Sequence, residues 1–281
     1  MKWNFGKIYK KIRKSKNISQ SEICSDELSR STLSKIENCK LMPSYQTMDY
    51  LLKQINMTFD EFNYLCNEYS PNLRDKLIHR IENVLQNYDE GELNSLINDC
   101  IKYLKTNNDL YLEEMLNVLL IDKRLKKSRD FDELSKELAK SIWKKIKKSE
   151  EWYFNDILLL NNILFIFPFP VINELTSKLL DQLEKYDNYK DSKDIICRLI
   201  INLSTIYLYN DDLEGCNHIL EQYSDLIYST KRFDYIAIFL VRHGIVIKNK
   251  NIIVDKGISI LSNFDENDLL MDLKKEVNIY Y

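Results

Sequence analysis

The sequence predicts an all-α protein built in two parts. Its 281 residues include five glycines and four prolines, too few for the turns that a β-sandwich or an α/β sheet needs. Long breaker-free stretches place apolar residues three and four apart, the spacing of a buried helix face. Charged residues make up 30% of the chain and hydrophobic ones 44%, a balance that suits a chain folding in water. The parts, residues 1–69 and 70–281, meet at Ser70-Pro71-Asn72. A proline disfavours helix at the residue before it and suits the first turn of the next.

The first part opens with a helix over Phe5 to Ser15. Phe5, Ile8 and Ile12 share one side, and Lys7, Lys10, Lys11 and Lys14 form a basic stripe on the other. Ser19-Gln20-Ser21-Glu22 is a capping box that starts a short second helix through Ile23. Ser29 then caps a third, with Leu33 and Ile36 inward. Ser31, Thr32 and Lys35 point outward together, slender enough to enter a DNA major groove. This stretch, Leu28 to Asn38, is the candidate recognition helix. Pro43-Ser44 leads into a fourth helix burying Met48, Leu51, Leu52 and Ile55. Asp60 opens a fifth with Phe62 and Leu65 inward. Arg13 and Glu37 are expected to pair between the first and third helices rather than to touch DNA.

Charge is unevenly divided. Residues 1–69 carry 11 lysines and arginines against 8 acids, and the remainder carries 29 against 35. A basic module joined to an acidic body fits DNA binding by the first part alone.

At these residues the chain resembles known regulators. Arg13-Lys14, Ile18-Ser19-Gln20-Ser21-Glu22, Ser31-Thr32-Leu33-Ser34-Lys35-Ile36-Glu37-Asn38 and Pro43-Ser44 are similar to a lambda-repressor-type (XRE) helix-turn-helix, over about a quarter of the chain. Leu28 to Glu37 followed by Ile55-Asn56-Met57-Thr58-Phe59-Asp60-Glu61-Phe62 resembles the Rgg/GadR/MutR regulators. That likeness resumes at Glu151-Trp152, Leu160-Asn161-Asn162-Ile163-Leu164-Phe165 and Leu199-Ile200-Ile201-Asn202-Leu203. It implies a five-helix lambda-repressor-like domain followed by a TPR-like helical-repeat domain. It also implies a homodimer on double-stranded DNA under the control of a short signalling peptide, as in quorum sensing. The DNA-binding candidates are Lys10, Lys14, Gln20, Arg30, Ser31, Thr32, Lys35 and Asn38. Cys39 departs from the pattern, standing where XRE sequences usually place the glycine of a left-handed helix cap. The cysteine of the intersubunit disulfide that Rgg-type regulators use would fall near Tyr45, so Cys39 is expected as a free thiol.

Beyond Tyr69, helical patterns near 72–88, 90–105, 109–126, 131–148, 151–167, 170–186, 192–209, 212–228, 232–248, 251–262 and 266–279 alternate with short polar breaks. Paired antiparallel helices of this length stack into a TPR-like superhelix with a concave face. Three of them carry a second stripe beside their apolar side: Asn155, Leu158, Asn162 and Ile166; Arg198, Asn202, Thr205 and Tyr209; Tyr235, Ile238, Arg242 and Ile245. An asparagine gives and accepts hydrogen bonds at once, as an extended peptide backbone does. An arginine takes a carboxylate. The peptide-binding candidates are therefore Asn155, Asn162, Arg198, Asn202 and Arg242, with Leu158, Ile166, Ile238 and Ile245 as apolar surface. Hydrogen bonds between helices are the competing reading of the same stripes.

Several function classes are excluded. His79, His218 and His243 lie far apart with no ligand spacing, so no metal site is expected. No nucleophile elbow, phosphate loop or dinucleotide fingerprint occurs, which leaves neither enzyme nor cofactor. Asp211-Asp212 reads as a helix cap. The six cysteines show no C-x-x-C spacing, and Cys24, Cys66, Cys100 and Cys197 read as small core residues of a reduced cytosol. No apolar run is long enough for a membrane span and no signal peptide is visible, so the expected location is cytoplasmic. Two alternatives stand beside peptide control: a DNA-tethered scaffold gripping a partner protein, and a regulator responding to a small metabolite.

Overall fold

The computed structural model describes residues 4–26, 28–86, 89–128, 131–189, 192–248, 250–264 and 267–281. The breaks expected at 129–130, 190–191 and 249, and the helix ends expected at 87–88 and 266, lie outside the described residues. Among the described residues there is no strand, only an isolated bridge between Ser25 and Leu28. The chain divides into two compact units, Met1–Glu92 and Leu93–Tyr281. The helix after Ser70-Pro71-Asn72 thus falls in the first.

The first unit holds α1 (Phe5–Ser15), α2 (Gln20–Ile23), α3 (Arg30–Glu37), α4 (Tyr45–Gln54), α5 (Phe59–Cys66) and α6 (Leu73–Gln86). Side-chain caps set the starts of α2, α3, α4 and α5. Ser19, Ser29, Ser44 and Thr58 each accept from the amide three residues on, at 3.3, 3.2, 3.1 and 3.2 Å, each worth about 1 kcal/mol. Thr58 is the reason α5 begins at Phe59 rather than at Asp60.

The buried centre of α1 is Gly6, Tyr9 and Arg13, with Phe5, Ile8 and Ile12 half-buried. The inward face is therefore turned from the one the aliphatic spacing gives. Tyr9 can occupy the core because its hydroxyl donates to the Leu51 carbonyl at 3.1 Å, so its polar tip is satisfied. A Cβ at Gly6 would collide with the Ile36 carbonyl, which lets α1 lie directly against α3. Leu33, Ile36, Leu51, Leu52 and Ile55 complete this core.

Cys39 forms the left-handed cap after all, at φ 56°. Its amide donates to Ile36 O at 2.9 Å and the Lys40 amide to Lys35 O at 2.8 Å, the paired bonds of a Schellman motif. The hydrogen bonds hold a non-glycine residue where its Cβ costs about 1–2 kcal/mol.

The helix α7 (Glu90–Leu104) spans the division. Then come α8 (Leu110–Ser128), α9 (Glu133–Ile146), α10 (Phe154–Ile163), α11 (Phe169–Glu184), α12 (Ser192–Tyr209), α13 (Leu213–Gln222), α14 (Ser224–Ser229), α15 (Phe233–Val246), α16 (Asp255–Ser262) and α17 (Asn267–Tyr280). Within this unit α8 packs on α10, α10 on α12 and α12 on α15, while α9, α11, α13 and α16 pack beside them. This two-layer stacking of paired helices is the TPR-like pattern.

Three expected helices are divided. The pattern over 151–167 gives α10 and then a 3-10 turn, Leu164–Ile166. That over 212–228 breaks at Tyr223, where Ser224 Oγ donates to Glu221 O at 3.0 Å and competes with the helix ladder. The last begins as a π turn, Lys250–Val254, and continues as α16. Among the described residues no helix is long and apolar enough to cross a membrane.

Candidate functional site

The DNA-facing candidates gather on and around α3. Ser29 fixes its start, and its hydroxyl also lies 3.0 Å from Ser31 Oγ and 2.9 Å from Thr32 Oγ1. Arg30, Ser31 and Lys35 are exposed and Thr32 half-exposed. Asn38 donates to Ser34 O at 2.8 Å and accepts from Lys10 Nζ at 3.2 Å, so Lys10 is held against the end of α3. Lys14 is exposed one turn further along α1.

Behind this face lies the pair expected between α1 and α3. Arg13 Nε and Nη2 donate to Glu37 Oε1 and Oε2 at 2.6 and 3.0 Å. Both residues are buried, and the carboxylate contact holds the Arg13 guanidinium above its ordinary pKa. Gln20 Nε2 donates to Glu37 Oε2 at 2.9 Å, and Gln20 Oε1 accepts from Arg30 Nε at 3.5 Å.

In the second unit the stripes of α10 and α12 are brought together. Asn202 Nδ2 donates to Asn161 Oδ1 at 3.0 Å, and Asn162 Nδ2 donates to Leu158 O at 2.8 Å. Among the described residues the Oδ1 atoms of Asn162 and Asn202 accept no hydrogen bond. Each of these half-buried amides thus keeps an acceptor in reserve while its donor is used within the protein. Asn155 is exposed. Arg198 is half-buried, with Nε 3.3 Å from Asp194 Oδ2 and no hydrogen bond from that atom.

Arg242 corrects the expectation. It is 5% exposed and lies inside the protein rather than on a ligand surface. Its Nε and Nη2 donate to Glu276 of α17 at 3.0 and 2.8 Å, and Nη1 donates to Ile201 O and Ser204 Oγ, both at 2.8 Å. The position facing a line of apolar neighbours on α15 is a core position, and the arginine there is satisfied from α12 and α17. The competing reading, hydrogen bonds between helices, holds for this residue.

A family model for the C-terminal domain of the HTH-type transcriptional regulator Rgg matches residues 93–275, about two thirds of the chain and nearly all of the second unit. The chain belongs to the Rgg family of transcriptional regulators. Several solved structures share its fold, among them three matched over nearly their whole length. One is a Listeria monocytogenes EGD-e protein assigned as a transcriptional regulator, 18% identical with a TM-score of 0.74, over 100% of this chain and 98% of that one. Another is the SHP pheromone receptor Rgg2 of Streptococcus dysgalactiae, 20% identical at 0.71, over 98% and 100%. The third is Bacillus thuringiensis PlcR in complex with the peptide PapR7 and DNA, 14% identical at 0.68, over 98% and 99%.

Within this Rgg-family fold, several residues escaped the sequence reading. Asn161 is 7% exposed, and it orients Asn202. Its signal was its place beside Asn162 in the Rgg-like stretch Leu160 to Phe165. Arg232 donates to Asp194 Oδ1 at 2.8 Å and to both oxygens of Asp234 at 3.1 and 2.6 Å. Tyr235, expected on the ligand stripe, donates to Asp194 at 3.0 Å, and burial with Asp194 alongside holds its phenol protonated well above the ordinary range. Asp194 therefore gathers Arg198, Arg232 and Tyr235 at the N-terminal ends of α12 and α15. Partners 38 to 41 residues away leave no periodic trace.

Proposed function

We propose that this Rgg-family chain is a cytoplasmic, sequence-specific DNA-binding regulator, a homodimer on double-stranded DNA, whose DNA occupancy is controlled by a short signalling peptide. The observation that carries the peptide reading is the pair of asparagines on adjacent helices. Asn162 and Asn202 each keep a carboxamide oxygen without a partner among the described residues, and neither oxygen is a buried unpaired atom, so both are open to a donor from a ligand. Backbone amides of an extended peptide supply donors at intervals that two such oxygens can meet. Arg198 on α12 stands one turn from Asn202 and would draw a ligand carboxylate, with Asp194 as its partner until then. Asn155 lies on the same side of α10, and the half-buried Leu158 and Ile166 would offer apolar contact; Ile238 and Ile245, expected beside them, are buried in the core of α15 and take no part in that surface.

DNA would be met by α3. Thr32, Ser31, Arg30 and Lys35 would face base edges, Gln20 and Asn38 would flank them, and Lys10 and Lys14 would meet phosphates. A homodimer of this type reads an inverted repeat with half-sites about 10 bp apart or a multiple of that. PlcR, which shares the fold, has been solved with both a peptide and DNA, and Rgg2 is a pheromone receptor. The test is affinity capture of peptides from culture medium on the purified protein, identified by mass spectrometry. A discrete short peptide retained by wild type and lost with Asn202→Ala supports the proposal. Equal retention by both proteins removes the assigned site.

A further inference from the structure

The Arg13–Glu37 pair accounts for only part of what the Glu37 carboxylate does. A carboxylate accepts and never donates. Glu37 is completely buried, at the last residue of α3, and takes three donors. Two come from Arg13 at 2.6 and 3.0 Å, and the third is Gln20 Nε2, from the first residue of α2, at 2.9 Å. Arg13 also spans to the segment before α2, donating from Nη1 to Ile18 O at 2.5 Å. One buried charge therefore ties α1, the entry to α2 and the end of α3.

The consequence lies in the amide of Gln20. Its two ends are chemically opposite, a donor nitrogen and an acceptor oxygen, and a glutamine at a protein surface can present either. An acceptor-only group behind Gln20 forces the nitrogen inward, so only Oε1 faces out. That oxygen lies 3.5 Å from Nε of Arg30, the exposed first residue of α3.

We propose that Glu37 is a positioning residue for DNA recognition: by holding Gln20 Nε2 it turns the Gln20 carbonyl toward Arg30 and sets the direction of that guanidinium at the leading end of α3. The inference rests on α3 being the DNA-reading helix. It predicts that Gln20 itself faces DNA as an acceptor. It further predicts that sequence preference at the Arg30 contact depends on a residue that touches no DNA. A bidentate arginine contact discriminates between bases by roughly five- to 150-fold, and a guanidinium free to swing loses part of that.

The test begins with a duplex selected from a random pool by the full-length protein. Its affinity is compared with that of the same duplex scrambled, giving a selectivity ratio. Gln20→Met should lower that ratio about tenfold and be non-additive with Arg30→Ala. Arg13→Met/Glu37→Leu replaces the buried charges together by apolar groups, which proteins often tolerate, and should lower the ratio as Gln20→Met does. Unchanged selectivity in a folded Arg13→Met/Glu37→Leu protein overturns the proposal. Should that variant fail to fold, side-chain amide exchange of Gln20 in the wild type decides instead: slow exchange supports the contact with Glu37, and exchange at the rate of a free glutamine overturns it. A wild type that binds selected and scrambled duplexes equally would reject the DNA-reading role of α3 itself, an outcome distinct from the others.

Discussion

Glu276→Ala isolates the ion pair that links α17 to the helices beneath it. Arg242 and Glu276 side chains are each 6% exposed, and the substitution leaves the guanidinium in place with no countercharge. Its two remaining bonds, to Ile201 O and Ser204 Oγ at 2.8 Å, satisfy one nitrogen and none of the charge. Breaking a buried pair from one side costs about 3–5 kcal/mol. With a urea dependence of about 2 kcal/mol per molar, the unfolding midpoint should fall by roughly 1.5–2.5 M. Arg242→Met/Glu276→Leu removes both charges and should lie within about 1 kcal/mol of wild type or above it. Far-UV circular dichroism in a urea series measures both. A Glu276→Ala protein as stable as wild type would refute the reasoning. So would an Arg242 variant that keeps full stability and loses only ligand binding, which would return Arg242 to the ligand site.

Other expectations concern single residues. Cys39→Gly relieves the strain of a left-handed cysteine at φ 56° and should stabilise the first unit by about 1 kcal/mol, seen as a higher melting temperature; a lower one contradicts the cap. Iodoacetamide at mildly alkaline pH should label exposed Cys39 first and leave buried Cys100, Cys197 and Cys216 unmodified in the native state, as peptide mapping would report. Burial pushes the Cys197 and Cys216 thiols up to about 12, against about 8.5 in an unfolded chain. The folded state then holds protons that the unfolded state releases. Stability should accordingly be intact below about pH 8.5 and fall as pH rises toward 12, and urea midpoints across that range would test the sign. Lys14→Ala should weaken binding to all duplexes alike and reduce the salt slope by about one phosphate contact, whereas Thr32→Ala or Lys35→Ala should shift the preferred sequence.

Legibility in the sequence followed the range of the interactions. Caps are local: Ser19, Ser29 and Ser44 announce their helices because the accepting hydroxyl and the donor amide are three residues apart. The Arg13–Glu37 pair was legible because the helix-turn-helix pattern fixes which helices meet. Tyr9 was not, since its burial depends on a carbonyl 42 residues away. The Schellman cap at Cys39 shows residue preference yielding to two backbone hydrogen bonds. On α10 and α12 the second stripe correctly marked Asn162 and Asn202 as lying apart from the main apolar side. On α15 the same spacing misled. That helix is buried on nearly all sides, so a polar residue on it meets protein wherever it points, and Arg242 found Glu276 34 residues further on.

The central claim is that a peptide held by Asn162 and Asn202 controls DNA occupancy. The direct measurement is fluorescence anisotropy of the selected operator duplex, titrated with wild type and Asn202→Ala, each with and without the captured peptide. The account predicts that the peptide shifts wild-type DNA affinity and that peptide-free affinity is the same in both proteins. The peptide concentration needed should rise about five- to 150-fold in the variant, the loss of about 1–3 kcal/mol of backbone contact. An Asn202→Ala protein that unfolds would contradict it by making the asparagine a structural link to Asn161. One that responds to the peptide at the wild-type concentration would place the ligand elsewhere.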